Sequence, residues 1–290
     1  IRICECGGQH ERQVHAADGK RFAQQTLFGV PQRYYECGIA EANMIGVASG
    51  MALTGKVPFA GSFAEFVTGR VYDQIRMEVC YGKTNVKIAS SHAGVTLGED
   101  GATHQTMEDI ALMRVLPDMV VINPCDWTQT KNATIAAAKY DGPVYLRFGR
   151  PKVADFMPDE PFEIGKAYVL NEGKDVSIFA TGHMVWEALQ AAEALEAEGI
   201  CAEIIDIATI KPLDTKAVLA SAIKTGAVVV AEEHNMAGGL GELIAGVLAA
   251  TSPKPIEYVN GKDEFGQSGT PSELLAAYGM DAAHIVEAAK

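Results

Sequence analysis

Between His92 and Gln105 the chain reads His-Ala-Gly-Val-Thr-Leu-Gly-Glu-Asp-Gly-Ala-Thr-His-Gln, which gathers three glycines, two carboxylates and two histidines into one short segment. Glycine lets a backbone approach a ligand closely, carboxylates accept hydrogen bonds from hydroxyls, and histidine carries a proton near neutral pH. The segment therefore offers hydroxyl acceptors around Asp100 and two proton carriers, His92 and His104. A solvated polar turn accounts poorly for paired histidines in a glycine-rich loop.

Other segments carry weaker signals. Phe63 and Phe66, three apart at the start of a helical stretch, share one face and can wall a flat heterocycle while excluding water, although such a pair is more often core. Glu41 opens a helix, where an isolated acid usually sits exposed and stabilises the helix N-terminus. Arg150 ends the string Tyr145-Leu146-Arg147-Phe148-Gly149-Arg150, and its planar fork of donors suits a phosphate. Arg147, near the same strand end, is expected at the surface. Glu232-Glu233-His234 invites an acid/base role, but a strand end entering the turn through Gly238, Gly239 and Gly241 explains it structurally. Cys4, Cys6, His10 and His15 match no common zinc spacing, and buried free cysteines are frequent in cores.

The elements that must position these residues alternate short apolar runs with amphipathic helical stretches, the pattern of parallel α/β architecture. Strands are expected at 57–61, 86–89, 119–122 and 144–147, with helices over 40–53, 64–80, 107–115 and 127–139. The loop from His92 to Gln105 then lies between a strand and a helix, where open α/β sheets bind ligands. Residues 151–171 carry three prolines and no clear period, so they read as a linker. Beyond it, strands at 176–180, 201–205, 227–231 and 256–259 alternate with helices such as 185–198, where Val185, Leu189, Ala192 and Leu195 share a face. The fold class expected is α/β with two doubly wound domains.

Composition narrows the partners. The chain has 290 residues, 48% of them hydrophobic, enough for more than one core. The excess of 37 acidic over 24 basic residues gives a formal charge of -13, which repels nucleic acid and anionic membranes while leaving room for a local phosphate pocket. Six cysteines without a CxxC pair fit a reduced, cytoplasmic setting. No apolar run approaches the roughly 20 residues that cross a bilayer, and no basic segment followed by an apolar core opens the chain. The chain begins at Ile1, so its native start is expected to be trimmed or to lie elsewhere.

Leu97-Gly98-Glu99-Asp100-Gly101-Ala102-Thr103-His104-Gln105, with His92 upstream, resembles the substrate loop of transketolases. The resemblance runs from about Tyr34 to the C-terminus, through Glu36 to Met44, Ser62 to Phe66 and Arg150, and in the second half through Asp206 to Asp214 and Phe265 to Gly269. It implies a pyrimidine-binding domain at 1–155, a linker at 156–170 and a smaller transketolase C-terminal domain at 171–290. It also implies thiamine diphosphate as cofactor. Glu41 matches the acid that hydrogen-bonds pyrimidine N1′ and pushes the aminopyrimidine toward its imino tautomer. Phe66 matches the residue that stacks on the pyrimidine, with Phe63 its neighbour. Gly69 stands where familiar single-chain members carry a tyrosine. His92, Asp100 and His104 match sugar-binding groups, His104 also helping to move a proton, and Arg150 matches a phosphate-binding arginine.

The family binds the diphosphate through a metal held by a Gly-Asp-Gly segment and a later asparagine, and this sequence has no Gly-Asp-Gly. Mg²⁺ is therefore expected on a partner, an N-terminal diphosphate-binding subunit, in an α2β2 heterotetramer. The first 33 residues match the family least. The activity implied is transfer of a two-carbon ketol unit from a ketose or ketose phosphate to an aldose or aldose phosphate. A 2-oxoacid dehydrogenase β-like subunit and a non-catalytic scaffold are the alternatives.

Overall fold

A computed structural model describes residues 2–5 and 33–290. His10, His15 and Cys6 lie outside the described residues, and so does most of the segment that matches the family least. The first sheet holds β1 (Arg2–Glu5), β2 (Tyr34–Glu36), β3 (Pro58–Gly61), β4 (Lys87–Ser90), β5 (Val120–Ile122) and β6 (Val144–Arg147). Its parallel order β5-β6-β4-β3-β1-β2 is threaded by α1 (Glu41–Leu53), α2 (Ala64–Thr68), α3 (Tyr72–Gln74), α4 (Asp109–Arg114) and α5 (Trp127–Lys139). Cores lie on both faces. Met44, Ile45, Val67, Ile75 and Ile110 fill one, and Phe59, Ile122, Ala133 and Leu146 the other. Burial on both faces explains why β5 and β6 read as unbroken apolar runs instead of alternating ones.

The helix expected over 64–80 is broken. α2 ends at Thr68, Val71 departs from helical geometry at φ -118° and ψ 23°, and Ile75–Tyr81 winds as a π-helix. The Thr68 hydroxyl donates to the Ala64 carbonyl at 2.7 Å, a side-chain bond that competes with the helical ladder. The wider turn that follows carries Ile75, Val79 and Cys80 to the core together, at a spacing a 3.6-residue helix would not keep on one face.

The second sheet has the order β12-β11-β8-β9-β7, from β7 (Tyr168–Asn171), β8 (Val176–Ala180), β9 (Ala202–Asp206), β11 (Val228–Asn235) and β12 (Ile256–Gly261). β7 falls inside the stretch expected as linker and pairs antiparallel with β9; the other strands are parallel. Around them pack α6 (Met184–Ala197), α7 (Thr215–Thr225), α8 (Leu240–Thr251), α9 (Pro271–Ala277) and α10 (Ala282–Ala289). Local chemistry sets the helix ends. Asp214 accepts from Ala217 N at the start of α7, Gly226 stops it in the left-handed region at φ +82°, and Thr270 with Glu273 forms a capping box on α9.

One strand crosses over. β10 (Thr209–Lys211), which follows β9 in the second half, pairs antiparallel with β5 of the first sheet, and Ile210 is buried in the first core. The Lys211 ammonium secures it by donating to the Arg114 and Leu116 carbonyls.

Candidate active site

Three separated segments meet at the C-terminal ends of the first sheet's strands. After β3, Ser62 accepts from Ser91 N (3.1 Å) and Ala64 N donates to the Ser91 carbonyl (2.7 Å), so the backbones before α2 and after β4 run side by side. That pairing places the Phe63 ring flat against His92, with centroids 3.9 Å apart and planes 12° apart. His92 adopts a left-handed φ of +63°, uncommon for a residue with a side chain, and its Nδ1 lies 2.8 Å from the Ser91 hydroxyl.

Phe66 lies parallel to Phe63 at 5.9 Å, and His104 presents an edge to both rings, at 5.3 Å from Phe66 and 6.2 Å from Phe63. Glu41 joins this cluster through Arg70. The Arg70 guanidinium sits 4.4 Å from the centre of the Phe66 ring, and its Nη1 lies 3.4 Å from Glu41 Oε2. Glu41 is buried at 4% exposure, so the exposed helix-start role is excluded for it. The cluster thus unites Glu41, Phe63, Phe66, His92 and His104, which the sequence spreads over more than sixty positions.

Asp100 and Arg150 form a neighbouring pair at the loop's tip. Arg150 Nη1 donates to the Leu97 carbonyl at 2.6 Å and to Glu99 Oε2 at 3.2 Å, and lies 3.9 Å from Asp100 Oδ2. One guanidinium nitrogen is therefore committed to holding the loop. None of the hydrogen bonds, ion pairs or ring contacts of the described residues joins Asp100 or Arg150 directly to the aromatic cluster; the shared loop connects them.

The loop is braced from the second half of the chain. Glu233, at the end of β11, accepts from Thr96 N at 2.6 Å, and a β-carbon at Gly94 would stand 2.2 Å from the Glu233 carboxyl. Gly94 is thus required twice, for its φ of +80° and for this close approach. Glu232 accepts from Leu240 N (2.6 Å) and Gly241 N (2.9 Å) at the start of α8; burial pushes its carboxyl up and these donors partly offset that. His234 Nε2 accepts from Ala111 N at 3.3 Å while Nδ1 faces the Asn235 carbonyl at 2.6 Å, which defines a tautomer with the proton on Nδ1. The structural role expected for Glu232-Glu233-His234 holds, and it reaches across to the other sheet.

Arg147 corrects the surface expectation. It is 2% exposed, donates to both Asp109 oxygens at 2.7 and 3.2 Å, and reaches the Glu233 carbonyl at 2.9 Å. Burial drives the Asp109 carboxyl up, but the Arg147 charge and hydrogen bonds outweigh it and hold the carboxyl below its usual range. An arginine at a strand end looks solvent-facing in sequence because its acid partner, 38 residues away, is invisible there.

A cavity of about 290 Å³ flanks the cluster, lined by Glu65, Gln105, Glu108, Asp263, Glu264 and Phe265 among others. Burial, then the Glu108 charge, raises the Glu65 carboxyl. An acidic wall of this kind repels phosphate. Arg150 lies outside it.

A buried carboxylate beside a wall of parallel aromatic rings fits the pyrimidine half of thiamine diphosphate: the rings suit a flat heterocycle and Glu41 suits a ring nitrogen. Among the described residues, no group of three His, Cys, Asp or Glu side chains could hold a metal ion. The same residues contain no helix long and apolar enough to cross a membrane.

The fold is that of a two-domain α/β protein with a carboxylate and aromatic site at the strand ends of its first sheet. The family models "Transketolase, pyrimidine binding domain" and "Transketolase, C-terminal domain" match residues 10–155 and 165–285. The chain belongs to the transketolase family. It is 46% identical over 275 residues to the 6-deoxy-6-sulfo-D-fructose transketolase subunit of a Clostridium species, covering 94% of this chain and 84% of that one. It is 37% identical over 254 residues to an apulose-4-phosphate transketolase subunit of Phocaeicola vulgatus, covering 87% and 81%. Among solved structures, a split gene transketolase described as an inactive beta4 tetramer superposes with a TM-score of 0.88 at 46% identity, covering 99% of this chain and 91% of that one.

Proposed function

We propose that this chain is the pyrimidine-facing subunit of a split transketolase, with domains at 1–155 and 171–290, which moves a two-carbon ketol unit from a ketose or its phosphate to an aldose. The observation that supports this best is the convergence of Glu41, Phe63, Phe66, His92 and His104 on one cluster. Bound thiamine diphosphate supplies the electron sink for breaking and making the carbon–carbon bond. Glu41, desolvated by burial, would hold pyrimidine N1′ of the bound cofactor through a hydrogen bond and so would bias the aminopyrimidine toward acting as a base. Phe66 stacks on the pyrimidine and Phe63 closes the wall beside it, excluding water. His92 and Asp100 bind substrate hydroxyls, His104 binds a hydroxyl and helps carry its proton, and Arg150 uses its uncommitted donors on a substrate phosphate.

The diphosphate and its Mg²⁺ belong in this reading to an N-terminal partner subunit, and the two chains assemble as α2β2 in the cytoplasm. The solved relative described as an inactive beta4 tetramer supports inactivity of the isolated chain. The sulfofructose and apulose-4-phosphate relatives support sugars or sugar phosphates as substrates.

The test is reconstitution with a diphosphate-binding subunit, followed by NMR of thiamine diphosphate C2-proton exchange and a ketol-transfer assay. Glu41→Gln should slow exchange by at least ~100-fold, within the range of general acid–base contributions. Near-normal exchange would remove Glu41 from the chemistry, and release of CO2 from a 2-oxoacid in place of ketol transfer would favour a 2-oxoacid dehydrogenase β-like subunit. Inactivity with every diphosphate-binding partner would leave a scaffold.

A further inference from the structure

Arg70 has no role in the proposed chemistry, yet it touches both groups that would receive the pyrimidine. Its guanidinium lies over the Phe66 ring at 4.4 Å and its Nη1 reaches Glu41 Oε2 at 3.4 Å. Among the described residues it is the only ion-pair partner of Glu41. The pair is unequal: the Glu41 side chain is 5% exposed and that of Arg70 53%. A carboxylate so buried is costly without compensation, and Arg70 supplies that compensation from a position open to solvent.

We propose that Arg70 is a placeholder for the pyrimidine ring, covering Phe66 and neutralising Glu41 until thiamine diphosphate displaces it. The proposal rests on the function argued above and concerns how the same site is kept before loading. Two features favour displacement over sharing. A guanidinium 4.4 Å from the ring centre covers one face of the phenylalanine that would stack on the pyrimidine. An arginine left on Glu41 would also draw its charge away from N1′ and weaken the hydrogen bond that sets the tautomer. Both contacts are individually weak, one a cation–π contact and the other a half-exposed ion pair, and Arg70 has solvent beside it into which to swing. Loading thus trades Arg70 for the ring nitrogen at the Glu41 carboxylate.

The test uses the protein assembled with its diphosphate-binding partner, titrated with thiamine diphosphate and Mg²⁺ by calorimetry, with the cofactor KM and kcat measured in parallel. Arg70→Met should tighten cofactor binding by roughly 3–10-fold and lower the cofactor KM in step, as expected from removing two weak competing contacts. Arg70→Lys, which keeps the charge but not the planar fork, should fall between. If Arg70→Met fails to assemble, Arg70→Gln serves in its place. Unchanged affinity overturns the proposal, and weaker binding overturns it in favour of an arginine that helps to hold the cofactor. Glu41→Gln in the same series separates the two claims. Lost C2-proton exchange in that variant leaves the proposed function standing whatever Arg70 does, and near-normal exchange removes Glu41 from the chemistry and with it the reason for a placeholder.

Discussion

Substituting Gly94 by alanine probes how the second half of the chain holds the substrate loop. Two costs follow from the geometry. Placing a β-carbon at φ +80° costs about 1–2 kcal/mol. The same carbon would stand 2.2 Å from the Glu233 carboxyl, which must move and give up its bond to Thr96 N. Losing a hydrogen bond to a buried charged group costs about 1.5–3 kcal/mol. Gly94→Ala should therefore destabilise the chain by about 2.5–5 kcal/mol. With Glu233→Ala already made, the collision is gone and only the backbone cost remains, so the two substitutions should couple by about 1.5–3 kcal/mol in urea unfolding followed by two probes. Gly94 is two residues from His92, so the single variant should also lose ketol-transfer activity in the assembled enzyme. An equal cost of Gly94→Ala in both backgrounds would show that Glu233 does not brace the loop.

Arg147→Met should destabilise by about 3–5 kcal/mol, because it leaves Asp109 charged and buried without its partner; a change under about 1 kcal/mol in denaturant titration would mean that Asp109 simply takes up a proton. Asp206 gives a pH signature. Burial lifts its carboxyl to about 7 from an ordinary value of 3.8, Gln129 opposing and Asp126 adding to the shift. A carboxyl whose folded pKa is raised contributes stability that is fully present below its unfolded value and is lost as pH rises through the folded one. Stability should thus fall between about pH 4 and pH 7, by at most about 4 kcal/mol for this group, and level off above that. Asp206→Asn should flatten that slope and be the more stable form at about pH 8; parallel slopes for the two proteins would discard the assignment.

The strand positions and the His92 to Gln105 loop were legible because each rests on local pattern: apolar runs of strand length, and a glycine-rich junction between strand and helix. Glu41, Phe63 and Phe66 became candidates only through the resemblance to transketolase motifs, since local pattern alone reads Glu41 as an exposed helix-start acid and the phenylalanines as core. His92 and His104, by contrast, stand out within the glycine-rich loop itself. What joins them was not legible. The Phe63–His92 stack depends on backbone pairing between residues 62–64 and 91, and the Arg147–Asp109 pair on a distance of 38 residues in sequence. The break after Thr68 was hidden because Val67, Val71, Ile75 and Val79 keep an apolar period that suits an unbroken helix. Arg70 had a readable signal in its four-residue spacing from Phe66, which sets a cation over a ring on a helical turn. Glu233 had none, since its target lies in the other half of the chain.

The strand Thr209–Lys211 has a consequence for how this chain can be divided. By pairing with Val121 and Ile122 it closes the β5 side of the first sheet, whose backbone would otherwise present unpaired amides and carbonyls. Exposed strand edges of that kind recruit other chains and aggregate. A fragment ending in the proline-containing stretch near residue 155 would carry every proposed catalytic residue and still lack its own sheet's selvage. The cut that looks natural in sequence would thus release a sticky half, and the C-terminal portion earns its place as the piece that finishes the first one.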